Sequence, residues 1–149
     1  MRAVIQRVAR ASVTVDEAVV GRIDAGLLVY LGVGAHDDEA DLDYMARKIR
    51  YLRIFQDDAG RMNRDVVEAG GAVLVVSNFT LYADVRKGRR PAFADAAAPE
   101  RALELYEQFC TRLQALGPKV ERGRFRAAMA VEALNVGPVN ILVDSRQRR

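Results

Sequence analysis

Gly26-Leu27-Leu28-Val29-Tyr30-Leu31-Gly32-Val33 is the stretch on which the fold turns. A strand with one wet face alternates polar and apolar side chains, and this run does not alternate. It is also short and bounded by glycines, so it reads as a strand buried on both faces rather than as a helix. A second apolar run, residues 72–76, follows the turn at Gly70-Gly71. Around these two, residues 3–8 and 12–16 read as strands, and residues 18–23 as a third that completes a meander. Asp37 or Asp38 caps a helix in which Leu42, Met45, Ile49 and Leu52 recur at three- and four-residue steps. Pro99 suits the first turn of a second helix, whose stripe is Leu105, Phe109, Leu113 and Leu116 and which stops at Gly117-Pro118. Phe125, Met129 and Val131 line one side of a further strand, and residues 139–143 form the last. Residues 83–98 are mostly loop. The expected fold is α/β in the mixed α+β sense: a mixed or barrel-like sheet with two main helices. A single domain covers residues 1–149, with a basic tail from about residue 145.

Composition narrows the chemistry. A chain of 149 residues that is 50% apolar and 29% charged is globular, and buries about 70% of its unfolded surface. No apolar stretch approaches the roughly 20 residues that span a bilayer, and Arg7 and Arg10 interrupt any leader-like core. A soluble, cytoplasmic protein with no membrane partner is expected. The single cysteine, Cys110, cannot form an internal disulfide, fits a reducing compartment, and lies in the helical stripe as a packing residue. The single histidine, His36, stands beside Asp37, Asp38 and Glu39 in what reads as a solvated loop, so a Ser-His-Asp triad has no member to use. About four Cys/His ligands for structural zinc are lacking, and no lysine follows a phosphate-loop glycine pattern. No metal or other cofactor is expected, and catalysis must run without thiol or imidazole.

The 23 basic and 20 acidic residues leave a net charge of +3. Twenty of the cations are arginines, a ratio that a GC-rich genome accounts for. Their clustering says more. Arg86, Lys87, Arg89 and Arg90 surround Gly88, and Arg146, Arg148 and Arg149 close the chain. Such runs are solvated loops or phosphate contacts.

Two motifs carry chemistry. Ser77-Asn78-Phe79-Thr80-Leu81 directly follows a buried strand, and α/β sheets place ligands at strand ends of this kind. Free backbone N–H groups there could hold a developing oxyanion, although Ser77 and Thr80 could equally serve as strand-end caps. Gly137-Pro138-Val139-Asn140 lies between two strands. Its proline cannot donate to a ladder and marks an edge, bulge or turn, for which sequence alone favours an ordinary trans bond.

These motifs, together with Met1-Arg2-Ala3-Val4-Ile5-Gln6-Arg7-Val8, Ala11-Ser12-Val13-Thr14-Val15, Gly26-Leu27-Leu28-Val29, Leu31-Gly32-Val33, Tyr51-Leu52-Arg53-Ile54-Phe55 and Arg90-Pro91-Ala92-Phe93, occur in the order found in D-aminoacyl-tRNA deacylases. The chain resembles that family over essentially its whole length. The resemblance implies a homodimeric hydrolase that cleaves the ester between a D-amino acid and the terminal adenosine of tRNA, and that also removes mischarged glycine. Its partner is tRNA, with no DNA expected. The family's Ser-Gln-x-Thr motif falls on Ser77, Asn78, Phe79 and Thr80. Its Gly-Pro-Val-Thr motif falls on Gly137, Pro138, Val139 and Asn140, and the resemblance implies that the Gly137-Pro138 bond is cis and reaches into the other subunit's site, where an L side chain finds no space. Phe125 and Met129 match positions near the pocket or are plain core residues.

Thr80 matches a residue proposed as nucleophile in the family, where assistance by the terminal ribose hydroxyl is also argued. A threonine needs a base, and His36 is poorly placed to be one. Backbone N–H groups near Phe79 and Thr80 polarising the carbonyl, with attacking water helped by the ribose, are the expected arrangement. Two departures stand out: Asn78 is one methylene shorter than the family's Gln, and Asn140 lacks the hydroxyl of the family's Thr. A non-catalytic tRNA-binding module and a hydrolase of small esters are the competing readings, the first using the basic loop and tail, the second needing neither.

Overall fold

The computed structural model describes residues 1–147, so Arg148 and Arg149 of the expected basic tail lie outside the described residues. Eight strands and two helices follow one another as β1 (Arg2–Val15), β2 (Ala18–Ile23), β3 (Gly26–Gly32), α1 (Glu39–Tyr51), β4 (Phe55–Gln56), β5 (Met62–Arg64), β6 (Ala72–Ser77), α2 (Pro99–Ala115), β7 (Lys119–Arg122) and β8 (Ala130–Asp144). The sheet runs β2-β1-β3-β6-β7, with β8 along the other side of β1. β3, β6 and β7 are parallel, and the remaining pairs of this sheet are antiparallel. It curls until β2 approaches β7: a Cβ placed on Gly21 would lie 2.4 Å from the Arg122 carbonyl oxygen. The sheet is mixed and barrel-like, with two main helices, as the sequence leads one to expect.

The double burial of β3 is plain in its neighbours. Leu27, Val29 and Leu31 face Leu42, Met45 and Ile49 of α1 and Leu105, Phe109 and Leu113 of α2. Leu28, from the opposite face, joins Val13, Val15, Leu74 and Val76 inside the curl. Polar residues have no place on either side, which is why the run does not alternate. α1 starts at Asp38, whose carboxylate accepts from the Asp41 N–H at 3.1 Å while Asp41 accepts from the Asp38 N–H at 3.1 Å, a reciprocal cap. α2 starts at Pro99, where the missing N–H costs nothing.

Four local expectations change. Residues 3–8 and 12–15 belong to one 14-residue strand, with Asp16 in the turn after it. β1 also does not open a meander: along the edge opposite β8 its first half pairs with β3 and its second with β2. The strand foreseen from Phe125 begins only at Ala130, Phe125 itself standing in a turn closed by the Ala127 N–H donating to the Arg124 carbonyl at 3.2 Å. Residues 139–143 belong to that same strand, β8. The β4–β5 ribbon and β7 were not foreseen; two- to four-residue strands are too short to show a period.

The parallel pair β3–β6 rests on a close backbone approach. A Cβ on Gly26 would lie 1.9 Å from the Ala72 carbonyl oxygen and 2.7 Å from its nitrogen, and neither backbone atom can swing aside. Gly26→Ala should therefore lower stability by about 3 kcal/mol or more, at the upper end of overpacking costs, measured by urea denaturation. Wild-type stability for this variant would show that the two strands can part without loss.

Candidate active site

The parallel strands β3 and β6 end side by side, Leu31 opposite Ser77. Past that end the chain must turn, and Asn78 directs it: its N–H donates to the Leu31 carbonyl at 2.8 Å, and its side-chain Oδ1 accepts from the Thr80 N–H at 3.1 Å. Asn78 thereby caps a short 3-10 helix, Phe79–Tyr82. The Thr80 hydroxyl donates to the same Asn78 oxygen. Capping leaves the first N–H of the turn, that of Phe79, without an acceptor among the described residues, as helix starts do.

This turn borders a cavity of about 640 Å³. Ser77, Asn78 and Phe79 line it together with Phe125 and Met129, Tyr30 and Val76, and Phe93 and Pro99. Phe79 is 56% exposed and meets Phe93 edge-on, ring centroids 4.9 Å apart. A Cβ on Gly123 would lie 2.8 Å from the Met129 sulfur, so this glycine leaves the thioether its room. Five of the residues singled out in the sequence thus share one site. Thr80 sits on the same turn but not in the cavity lining, and neither do Gly137, Pro138, Val139 and Asn140.

Those four belong to a different construction. Gln6 pairs with Asn140 and Val8 with Asn135, so the single residue Arg7 of β1 faces residues 136–139 of β8. The surplus chain is pushed out of the ladder. Gly137, Pro138 and Asn140 are exposed, while Val139 turns back into the core. The Gly137-Pro138 bond is cis, in place of the trans bond that sequence alone favours. The neck is tied by Asn135, whose amide donates to the Arg7 carbonyl at 3.0 Å and the Val139 carbonyl at 3.1 Å. Arg7 adds bonds to the Val136 carbonyl at 3.2 Å and, from its other side, to the Ile54 carbonyl at 2.8 Å.

With these sites in view, the comparisons are decisive. The D-Tyr-tRNA(Tyr) deacylase family matches residues 4–144. The chain belongs to this family. It is 58% identical to the D-aminoacyl-tRNA deacylase of Symbiobacterium thermophilum over 99% of this chain and 97% of that protein. It is 57% identical to the one of Koribacter versatilis over 99% of both. A solved structure described as a c-Myc DNA Unwinding Element Binding Protein superposes with a TM-score of 0.92 at 39% identity, covering 97% of this chain and 98% of that one.

Within this deacylase family frame, the electrostatics of the site are sparse. Burial raises the Tyr30 phenol above its ordinary value, so it is a neutral O–H at working pH. No carboxylate or imidazole lines the cavity among the described residues, and His36 is exposed elsewhere. The basic cluster sits at the tip of a loop whose base is pinned by paired backbone bonds between Asp84 and Ala92, one residue from Phe93 at the cavity rim. Arg86 is folded back on Asp84, with nitrogen–oxygen distances of 2.9 and 2.7 Å, and holds that carboxyl well below the usual carboxylate range. Lys87, Arg89 and Arg90 are exposed and form no ion pair among the described residues.

Sequence reading missed Phe93 and Tyr30 as wall residues, and Arg7 and Asn135 as the ties of the excursion. Arg7 left a trace, a cation on the apolar phase of a strand; Asn135 left none. Because one Asn78 oxygen serves both Thr80 donors, Asn78→Ala should cost about 1 kcal/mol of stability, read from the urea midpoint. A Thr80 amide that exchanges no faster in this variant would show that the turn holds without its cap.

Proposed function

We propose that this chain hydrolyses the ester of D-aminoacyl-tRNA, releasing the free D-amino acid and tRNA, and that it also deacylates tRNA mischarged with glycine. Membership in a family of deacylases makes the chain an enzyme, a hydrolase. The observation that carries the reading is the meeting of the motif residues Ser77, Asn78 and Phe79 with Phe125 and Met129 around one cavity. Its size suits an aminoacyl-adenosine end, since ligand pockets run from about 300 to 1,000 Å³.

The Phe79 N–H, left free on a turn whose Thr80 and Leu81 N–H groups are engaged, supports polarisation of the ester carbonyl. Water attacks the acyl carbon, the tetrahedral intermediate collapses, and the ribose oxygen leaves with a proton. The Thr80 hydroxyl already donates to a neutral amide oxygen and has no base beside it, which supports a role in holding the turn and leaves proton transfer to the substrate's neighbouring ribose hydroxyl.

Selection against L-amino acids would come from the Gly137-Pro138 backbone of a second copy entering the cavity, a wall that glycine and D side chains clear. Its projection from β8 and absence from this chain's own cavity lining fit an action across a homodimer. So do the exposed Leu134, Val136 and Leu142 on a strand paired on one side only. Cytoplasmic location follows from such a substrate. Phosphate contacts fall to Lys87, Arg89 and Arg90, with Arg86 occupied by Asp84.

The test is release of D-tyrosine from D-Tyr-tRNA by purified protein after exhaustive chelation, compared with L-Tyr-tRNA and with a free D-tyrosine ester. Activity on the D-tRNA ester alone is expected. An inert protein that still binds tRNA would favour a binding module, and restoration by added metal would overturn the metal-free chemistry. Thr80→Ala should keep substantial turnover; a fall of about a thousandfold or more would make Thr80 the nucleophile. Neutralising Lys87 and Arg89 should flatten the salt dependence of tRNA binding by about 0.7–0.9 per contact, with a smaller change for Arg86→Ala. An unchanged slope would mean that the loop is merely solvated.

A further inference from the structure

Arg126 is the one charged side chain among the residues lining the cavity. Its backbone stands at φ 61°, in the left-handed region that side chains other than glycine avoid. The other non-glycine residues with positive φ, Asp16 and Glu17, form the two-residue hairpin between β1 and β2, a turn that requires that conformation. Arg126 has no hairpin to close. It lies in the turn from Arg124 to Ala127, exposed, and its guanidinium forms no ion pair or hydrogen bond among the described residues. No carboxylate lines the cavity to attract it. A strained residue carrying an unpaired cation at the mouth of an apolar cavity points to an anionic group on the ligand.

The reading above supplies such a ligand, and the present inference rests on it. In a D-aminoacyl-tRNA end the adenine and ribose are neutral and the α-amino group carries no negative charge. The nearest anion to the ester is the phosphodiester joining the terminal adenosine to the preceding nucleotide. We propose that Arg126 binds this last phosphodiester, and that it thereby separates the end of a nucleic acid from a bare aminoacyl-nucleoside. The planar guanidinium offers parallel N–H donors to two phosphate oxygens. Left-handed backbone at residue 126 carries the side chain on a turn between Phe125 and Ala127, both of which line the cavity. The contact adds binding and leaves the reacting carbonyl to the Ser77–Phe79 wall.

The experiment compares D-tyrosyl esters of adenosine and of the dinucleotide cytidylyl-adenosine, which differ by one nucleotide and its phosphodiester. Wild-type protein should prefer the dinucleotide ester, through KM rather than kcat. In Arg126→Gly, which also relaxes the backbone and should not lower Tm, the ratio of kcat/KM between the two esters should fall about tenfold or more, the worth of one charge-assisted hydrogen bond. Arg126→Lys should recover part of that ratio. The salt dependence of KM for the dinucleotide ester should weaken in the glycine variant, as screening of a lost ion pair requires. An unchanged ratio in an active Arg126→Gly protein overturns the assignment. An equal loss on both esters, or a loss confined to kcat, also overturns it, by placing the cation on the reacting carbonyl. Wild-type protein inert on tRNA and on both esters overturns the deacylase reading itself, and this assignment with it.

Discussion

The backbone of β3 is held between β1 and β6 with no room to move, and the rest of the molecule is arranged around that contact. Gly26 lies against the Ala72 backbone so closely that a methyl group could not be inserted. With that approach fixed, β3 and β6 run in register for six paired residues and finish together at Leu31 and Ser77. Helices then cover one face and the curl of the sheet covers the other. Where the parallel strands end, the Asn78 turn, the loop bearing Phe93 and the start of α2 at Pro99 border one hollow. The cavity is thus a product of strand pairing, with the Asn78 turn as its first wall.

Much of this was legible in the residues, and the parts that were not share a cause. The apolar phase of β3 and β6, the two helical stripes and the cap at Asp38 are local patterns, readable within a dozen residues. β1 was read as two strands because a bulge between Val8 and Arg10 leaves Ala9 and Arg10 both exposed. The extra residue shifts the phase, so Ala3 and Ile5 face the helices while Val13 and Val15 face the curl. Phe125 shares a spacing with Met129 and Val131 that suits a strand, yet it packs beside Tyr106 from a turn, ring centroids 6.0 Å apart. The cavity and the ties of the excursion are harder still. Phe93 meets Phe79, and Asn135 meets Arg7, across separations that no periodicity records.

The candidate site offers few charged groups among the described residues. Its side chains are nearly all neutral, and the Thr80 hydroxyl on the bordering turn is committed to an amide oxygen. What the fold supplies is a fixed N–H, an apolar enclosure and one peripheral cation. Shortening Gln to Asn at position 78 makes sense in that setting. Asn is a strong cap residue and Gln is not, and here its side chain caps the turn by accepting from the Thr80 N–H.

The excursion on β8 has a second consequence, one of solubility. β8 is a 15-residue strand with one side unpaired among the described residues, and Leu142 on it is 78% exposed. A long, flat, apolar edge of that kind is a template on which stray strands add and aggregates grow. Residues 136–139 break the row of free N–H and C=O groups at its middle, and Pro138 removes a donor outright. An incoming strand can match the ladder before the break or after it, but not through it. The segment that presents Gly137 and Pro138 to solvent therefore also interrupts the edge along which such strand addition would run.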